Sequence, residues 1–510
     1  MGGPEYYRPL TNPEISRRMQ VQKGHPKGLV VLFFAEMWER FSFYGMRALL
    51  VFYMTRHFLF SDNAAYAVYG SYTALVYATP VIGGLIADRL LGLRKSVVLG
   101  GVLMALGHFA MAIETEQVFY FALALLICGN GFFKPNISTT VGRLYDEGDP
   151  RRDSGFTIFY MGINLGAAAA PLLCGFIGET YGWKYGFGLA GVGMVFGLIV
   201  FLNGQKYLNH VAEPPDPERL RVKVLPGLSR EHAVYVGSAL AALVFWQLVQ
   251  SGRLVGTLLT IFGIVVLAAL LFYLFKKCEG VERDRLGVAM VLISFSMVFW
   301  AFFEQAGSSI NLFTDRNVER TLFGMKIPAS VFQSLNALFI LMFGPLFGAL
   351  WVKLARVGKE PSTPLKFGLG ILQLGLGFGA LYLGARSAAA DGMVWIGWLV
   401  LGYMLHTTGE LCLSPIGLSM ITKLSPVRIG SMMMGTWFLA SAFAQYIAGL
   451  IAMLTGVSGE DESGARIPAP QDTVMIYGDV FGTIAMVAVA VGVLVVAVSP
   501  VLAKRMRGIH

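Results

Sequence analysis

The sequence predicts an all-α protein that crosses a membrane many times, and three observations support this fold class. Of its 510 residues, 55% are hydrophobic and 14% are charged, whereas soluble proteins carry about a quarter charged residues. Mean hydropathy is +0.62. Apolar runs recur along the chain, and at about 1.5 Å per residue a helical run of about 20 residues crosses roughly 30 Å of hydrocarbon. We therefore expect a polytopic helical membrane protein.

We predict fourteen spans, separated mostly by short polar loops. The spans before the linker lie near 28–57, 64–90, 95–113, 117–143, 154–178 and 184–203. A polar, proline-rich stretch at 209–223 follows and is typical of a linker. The spans after it lie near 230–250, 254–275, 286–314, 329–352, 364–385, 391–422, 429–455 and 473–500.

The basic residues orient this map. The formal net charge is +9. If the N-terminus is cytoplasmic, roughly 29 Lys and Arg fall in inside loops and about 8 in outside loops, as the positive-inside rule expects. We therefore predict a multi-pass membrane protein with both ends in the cytoplasm. The first 27 residues are polar and lack a short apolar segment with a cleavage site, so we expect a tail and no signal peptide.

Other classes of function receive little support from the sequence. The four cysteines are scattered without a CxxC or a metal-ligand spacing, so we expect small core residues and no metal site. Neither HExxH nor GxSxG occurs, and no span holds paired aspartates. We predict no enzyme activity and no catalytic residues. The basic excess follows membrane topology, and we expect no nucleic-acid partner.

A charged turn with glycines joins the second and third predicted spans, GGLIADRLLGLRK at 83–95. We expect its acid to pair with its bases and its glycines to let the helices approach. The residues concerned are Gly84, Asp88, Arg89, Gly92, Arg94 and Lys95. The turn resembles the cytoplasmic loop motif of the major facilitator superfamily, and a degenerate echo without the acid recurs at 348–359.

This resemblance implies two six-helix halves related by a repeat. The seventh and eighth spans would then be a helical pair inserted between the halves. The expected division is a cytoplasmic tail at 1–27, a six-helix bundle at 28–203, a linker with two inserted helices at 204–285, a second six-helix bundle at 286–500 and a cytoplasmic tail at 501–510.

The first span carries four charges in EMWERFSFYGMR, residues 36–47. At 100° per residue, Glu36, Arg40, Tyr44 and Arg47 share one stripe, with Glu39 at its edge. A charge in mid-membrane costs about 2.5–3.5 kcal/mol on insertion scales, so the stripe must face protein or water. Glu36 and Arg40 can pair at i,i+4, in a role that could be purely structural. Arg47 has no acid three or four residues away and needs an anion from another helix.

Other spans also carry polar or aromatic residues that could form a site. Any one of them could instead be a structural hydrogen bond between helices. Together they place basic groups in the first half and acidic groups in the second. The set comprises Lys134, Tyr160, Asn164, Trp300, Glu304, Asn336, Glu410, Ser414 and Trp437.

Four segments together resemble the proton-dependent oligopeptide transporter (POT) family. The first is EMWERFSFYGMRALL at 36–50, which is similar to the ExxER motif of that family. The other three are Lys134-Pro135-Asn136, Phe159-Tyr160-x-x-Ile163-Asn164 and Gly409-Glu410-Leu411-x-Leu413-Ser414-Pro415. Fourteen spans and a short loop at 385–391 resemble bacterial members, which implies the inner (cytoplasmic) membrane of a bacterium. Animal members carry a histidine in the second span, at a place that matches the region near Gly70 here. The second span of this chain has no histidine, so proton coupling must rest on carboxylates.

The resemblance implies a symporter that imports di- and tripeptides with protons by alternating access. A carrier of many zwitterionic peptides should hold the two termini and leave side chains loose. Arg47 and Lys134 would attract the carboxylate, and Glu410, helped by Glu304, the amino group. The remaining expected substrate contacts are Asn164 and Asn336 to the peptide backbone, and Tyr44, Tyr77, Tyr160, Trp300, Ser414 and Trp437 around its side chains. Proton coupling would involve Glu36, Glu39, Arg40, Lys134, Glu304 and Glu410.

The expected partners are a peptide, protons and the lipid bilayer, with no cofactor beyond the proton and with a monomer as the functional unit. We also expect Lys134 and Glu410 to attract each other across the empty cavity, and Pro415 to let its helix bend. The alternative is a major facilitator carrier for nitrate, an amino acid or a drug. Nitrate would favour paired arginines without an opposed Glu410, and a cationic drug would not need Arg47.

Overall fold

The computed structural model describes residues 24–146, 148–208, 210–322, 324–457 and 469–509. In this part of the chain fourteen helices of 19 residues or more account for nearly all regular structure. The prediction of an all-α polytopic fold is confirmed.

The helices before the linker alternate in direction and are joined by short turns. They are α1 (Lys27–Phe52), α2 (Asp62–Ile86), α3 (Leu93–Met111), α4 (Glu116–Arg143), α5 (Arg152–Ala170) and α6 (Trp183–Gly204). Three of them are extended by π-helical turns, at Tyr53–His57, Ala87–Leu91 and Pro171–Gly175, and the last of these continues as Phe176–Tyr181.

Eight long helices follow the linker. They are α7 (Arg230–Val249), α8 (Gly252–Lys276), α9 (Gly280–Phe303), α10 (Ser334–Arg356), α11 (Thr363–Ser387), α12 (Ile396–Leu424), α13 (Gly430–Met453) and α14 (Pro470–Arg505). Helix α9 continues through a 3₁₀ turn, Glu304–Gly307, into Ser309–Asn317, and α10 follows the 3₁₀ turn Ala329–Gln333.

The strands among the described residues form three small pairs. They are β1 (Lys223–Leu225) with β2 (Leu228–Ser229), β4 (Thr321–Leu322) with β5 (Met325–Lys326), both antiparallel, and β3 (Val318–Glu319) with β6 (Val394–Trp395), which is parallel.

The pair β3–β6 explains why α12 begins at Ile396, later than the predicted 391. Helix α9 begins earlier than predicted, because the polar turn at 280–285 is helical.

Twelve of the fourteen long helices are long and apolar enough to span a membrane by length and composition. The other two are α1 and α12, which are 26 and 29 residues long. Charged and polar side chains, among them Glu36, Arg47 and Glu410, lower their hydropathy. The two helices that resemble membrane spans least in composition therefore carry the main candidate site residues.

Helices α1–α6 pack with one another, as do α9–α14. The pair α7–α8 lies outside both groups: α7 packs on α4, while α8 contacts α2 and α13. The two groups meet where α2 lies against α13 and α5 against α10. At the α2–α13 contact a Cβ on Gly70 would lie 3.0 Å from the Cα of Gly449, so small residues allow this approach.

Both described chain ends lie on one side, here called the terminal face; the opposite side is the loop face. Near the N-terminus His25 hydrogen-bonds the hydroxyl of Tyr145 at 2.9 Å. Near the C-terminus Arg507 pairs with Asp284, at the start of α9, at 2.6 Å. Helix α1 therefore runs from the terminal face to the loop face, and so does α9.

The charged turn at 83–95 pairs differently from the sequence prediction. Its acid, Asp88, pairs with Arg143 of α4 at 3.3 Å rather than with the bases of its own turn. Arg94 pairs with Glu213 at 2.7 Å, and Lys95 with Glu231 at 2.6 Å. The reason is that the linker packs on this turn and brings its own acids.

The linker is docked through buried apolar residues. Ala212 and Leu220 are 1% and 2% exposed. Gly92 has φ +78°, a conformation that favours glycine, and the backbone of Pro214 lies directly against it. Gly84 has room for a Cβ, so the close helix approach predicted there falls instead at neighbouring Gly83, against Gly131.

Candidate functional site

Three charges of α1 form a buried cluster. Arg40 donates a 2.7 Å hydrogen bond to Oε1 of Glu39 and contacts its second oxygen as well. The Arg40 Nε lies 3.4 Å from Oε1 of Glu36, which is the predicted i,i+4 pair. All three residues are at most 3% exposed. Two carboxylates therefore share one guanidinium, and Oε2 of Glu36 has no hydrogen-bond partner among the described residues.

Lys134 lies near this cluster without a direct ion pair. Its Nζ is 4.6 Å from the ring centroid of Tyr77, a cation–π contact. The charges of Glu36 and Glu39 act on Lys134 electrostatically. Within the described residues no carboxylate lies within salt-bridge distance of it. Its charge is thus available to another anion.

Arg47 forms an ion pair with Glu304, which lies in the turn after α9. This pair joins the two helical groups across the centre of the protein. The Arg47 Nε also donates a 2.8 Å hydrogen bond to the hydroxyl of Tyr69, and the guanidinium lies 5.8 Å from the ring centroid of Tyr44. A Cβ at Gly307 would collide with the Tyr69 hydroxyl. Glycine therefore leaves the space in which Arg47 is held.

Glu410 is held within the second group of helices. Its Oε2 accepts a 2.8 Å hydrogen bond from Asn336 of α10, whose amide also donates to Thr407 at 3.1 Å. The side chain of Glu410 is 7% exposed as a residue and lies midway along α12. The expected attraction between Glu410 and Lys134 is not realised as a contact. Each is satisfied locally, Glu410 by Asn336 and Lys134 by the face of Tyr77.

The remaining predicted lining residues occupy helices around these charges. Asn164 donates to the carbonyl of Tyr160 on its own helix at 2.9 Å, and its contact with a peptide stays a prediction. Trp300 packs edge-on against Phe303, with ring centroids 5.2 Å apart. Trp437 covers Gly417, where a Cβ would lie 2.6 Å from its ring. The half-buried members of the set are Tyr44, Tyr77, Tyr160, Trp300, Asn336, Ser414 and Trp437.

Sequence reasoning missed a second set of charges that joins the helical groups near the loop face. Arg316 donates to both oxygens of Asp62, at 2.6 and 2.8 Å, and to the hydroxyl of Tyr477 at 3.1 Å. Arg56 pairs with Asp315 across the same interface. Charged residues are expected at the ends of membrane spans in general. Their positions in the sequence therefore did not predict that these particular residues would pair.

The cross-group ion pairs have an uneven distribution. Among the described residues they lie at the level of Arg47–Glu304 or closer to the loop face, at Arg56–Asp315 and Asp62–Arg316. The half of α10 nearer the terminal face is largely exposed. The central charges are therefore closed off from the loop face by ion pairs that join the two groups.

Comparison with known proteins supports the resemblance seen in the sequence. The family model described as POT family matches residues 94–468. The chain belongs to the POT family. It is 39% identical over 498 residues to the uncharacterized transporter YclF of Bacillus subtilis, covering 95% of this chain and 96% of that protein.

Other POT relatives have more specific names. The di-/tripeptide transporter of Lactococcus lactis is 38% identical over 454 residues, covering 84% of this chain and 90% of that protein. A crystal structure of a mutant peptide transporter POT in complex with alafosfalin is 36% identical, with a TM-score of 0.81, and covers 96% of this chain and 98% of that one. A POT family transporter in complex with 5-aminolevulinic acid is 32% identical, with a TM-score of 0.79 and coverage of 94% and 97%.

Proposed function

We propose that this POT family protein imports di- and tripeptides together with protons by alternating access. The observation that carries the proposal is the buried Arg47–Glu304 pair, which links the two helical groups beside Glu410 and Lys134. Relatives named as peptide transporters support the substrate class. The proposal assigns no catalytic residue and no cofactor beyond the coupling proton.

A zwitterion can replace this ion pair without a change of net charge. The carboxylate of a peptide takes Arg47, with Lys134 as a second cation. Its amino group takes Glu410, or Glu304 once that carboxylate has left Arg47. Because a charge left unpaired in a buried site is costly, binding at both ends favours a ligand that carries both charges.

Nitrate fits this arrangement poorly, because it offers no cation for the glutamate that it would displace. A cationic drug leaves Arg47 without an anion for the same reason. A small amino acid meets both requirements, and a POT family relative has been crystallised with 5-aminolevulinic acid. We therefore retain an amino acid as the second candidate substrate.

Proton coupling follows from the surplus carboxylate beside Arg40. Glu39 accepts from two nitrogens of the Arg40 side chain, Nε and Nη2, while Glu36 has a longer contact and, among the described residues, one unpartnered oxygen. Protonation of Glu36 removes the surplus negative charge of the α1 cluster. The electrostatic attraction between this cluster and Lys134 then becomes weaker. Lys134, which has no direct ion pair, then attracts a peptide carboxylate more strongly, so proton binding and peptide binding assist each other.

The available driving force is large enough for uphill transport. A proton moving down one pH unit supplies about 1.4 kcal/mol, and its charge crossing 100 mV about 2.3 kcal/mol. Together these correspond to accumulation of a neutral peptide on the order of 500-fold.

The proposed orientation places the terminal face in the cytoplasm of a bacterial cell, as the excess of Lys and Arg on that side favours. The closed loop face then lies outside, and the conformation is the one that exchanges substrate with the cytoplasm. We propose that a monomer is the transporting unit, because the two helical groups of one chain together supply the site charges named above.

Counterflow in proteoliposomes tests the substrate class. Vesicles loaded with unlabelled dialanine should take up labelled dialanine, and external glycylglycine should compete, whereas nitrate should not. Free alanine measures the second candidate in the same assay. Efficient exchange of nitrate, or of a single amino acid in preference to dialanine, would contradict the proposal.

A further inference from the structure

A narrow apolar groove lies between the inserted helix α7 and the first helical group. It has a volume of about 340 Å³ and is lined by residues of α2, α4 and α7. Its lining includes Thr79, Ile86, Cys128, Val234, Gly237 and Phe245. The volume lies at the small end of the range for ligand sites, which begins at about 300 Å³.

The length of the groove matches one leaflet of a membrane. Its lining on α7 runs from Val234 to Phe245, which at about 1.5 Å per residue is roughly 16 Å. Half of a hydrocarbon core of roughly 30 Å is about the same length. The groove begins near the terminal face and ends near the middle of the protein, as a single acyl chain does.

The charges at the terminal end of the groove do not cancel. Each of three bases there has an acid partner: Arg94 with Glu213, Lys95 with Glu231 and Arg143 with Asp88. On the helices that line the groove, two arginines remain at this end. In the part of the chain that the structure describes, neither Arg89 nor Arg230 has an ion pair.

These two arginines flank the groove from its two walls. Arg89 follows Ile86 by three residues along the end of α2, and Arg230 precedes Val234 by four residues on α7, so each lies about one turn beyond the apolar lining. An apolar slot of one-leaflet length thus ends between two uncompensated positive charges.

We propose that this groove binds one anionic phospholipid, with an acyl chain between α7 and the first helical group and its phosphate between Arg89 and Arg230. The lipid links the inserted pair to the transporting bundle at the charged turn of 83–95. A neutral lipid can enter the apolar slot but leaves both arginines without an anion. The site is separate from the central charges. Helix α7 then serves as one wall of this lipid site.

Native mass spectrometry of the delipidated full-length protein measures this binding. Wild type should retain one phosphatidylglycerol and bind phosphatidylcholine more weakly. Arg89→Gln with Arg230→Gln should weaken phosphatidylglycerol binding by about 25-fold, at roughly fivefold for each arginine. Arg89→Lys with Arg230→Lys keeps both charges and should restore most of it.

Lys353→Gln with Arg356→Gln is the charge-matched control, because both residues are exposed at the terminal-face end of α10, in the second helical group and away from the groove lining. It should change binding less than about twofold, the change expected of a surface charge alone. Equal effects of the two double variants, or equal retention of phosphatidylglycerol and phosphatidylcholine by wild type, would overturn the proposal.

Gly237→Leu tests the acyl chain separately. A Cβ at Gly237 meets nothing within 4 Å, so a larger side chain can fill the groove without striking the backbone. This variant should lose phosphatidylglycerol while it still exchanges dialanine, which shows that it is folded. Undiminished phosphatidylglycerol binding by the folded variant would mean that the headgroup binds without the groove, and would contradict the site described here.

Discussion

At the scale of single residues, the buried cluster on α1 holds one cation for two anions. Burial of an unpaired charge is far more costly than burial of a hydrogen-bonded pair. Glu39 has the close contacts with Arg40, and Glu36 has the distant one. Glu36 is therefore the member of the cluster that gains most from taking up a proton.

Glu36→Gln should abolish accumulation of dialanine driven by a pH gradient but preserve counterflow exchange. The amide keeps the size of the side chain but cannot change charge, so the site still binds peptide without coupling it to protons. Both activities are measured with labelled dialanine in proteoliposomes. Glu116→Gln, which alters an exposed acid outside the site, is the control and should retain both. Accumulation by Glu36→Gln would assign coupling to another acid.

Arg47 should recognise the carboxylate of the peptide. Converting the C-terminus of dialanine to an amide should weaken binding by wild type at least tenfold, and binding by Arg47→Ala much less. The peptide and the protein are the two sites of a double-mutant cycle, measured by competition for uptake. If the amide weakens binding equally in both proteins, the carboxylate binds elsewhere. Amidation should then weaken binding by Lys134→Ala much less than binding by wild type.

Glu410 should recognise the amino group. Glu410→Ala is expected to lose affinity for dialanine by about tenfold or more, in keeping with the loss of one charge-assisted hydrogen bond. Its affinity for the des-amino analogue should change little, because that ligand has no cation for the glutamate. Competition between the two compounds checks this. Equal losses for both would make Glu410 a structural partner of Asn336.

At the scale of helices, the sequence predicts extents well and partners poorly. Apolar runs together with the polar loops between them placed fourteen helices close to most of their observed bounds, because a membrane fixes the length of a span. Charge pairing depends on which helices become neighbours. Arg47 could be seen to need an anion, but no spacing pointed to Glu304, 257 residues away.

The charged turn at 83–95 gives the same lesson. Its acid and bases are close in sequence, so pairing within the turn was the simplest expectation. In the folded protein Asp88 reaches α4, and Lys95 reaches α7. The prediction of internal pairing was wrong because the docked linker and α7 supply acids that lie far away in the chain.

The Asp62–Arg316 pair joins α2 to the end of α9 and should help to hold the loop face closed. Asp62→Asn leaves the half-buried Arg316 without a full charge partner and should favour opening on that side. A cysteine at Gln333, which lies between the groups beside Ala48, reports opening through its rate of reaction with an impermeant maleimide. The rate should rise at least tenfold, which corresponds to about 1.4 kcal/mol.

Asp479→Asn is the matched control for this experiment, since Asp479 is exposed on the loop-face part of α14 and has no ion pair within the described residues. The native cysteines are all buried and should remain unreactive. An unchanged labelling rate in Asp62→Asn would show that the loop face is held closed by other contacts.

At the scale of the whole molecule, two helical groups enclose a site whose charges come from both. The first group supplies Arg40, Arg47 and Lys134, and the second supplies Glu304 and Glu410. Ion pairs close the loop-face side, and the matching contacts on the terminal side are absent from the described residues. A rocking motion that breaks Arg47–Glu304 and the outer pairs would expose the same charges to the other side of the membrane.

The central claim is that this charge arrangement couples peptide import to proton entry. Its most direct test is uptake of labelled dialanine by proteoliposomes with an alkaline, electrically negative interior. We predict that the internal concentration rises well above the external one and returns to equality when a protonophore is added. Equilibration to the same final level with and without the gradient would contradict coupling, and absence of dialanine uptake would contradict the substrate as well.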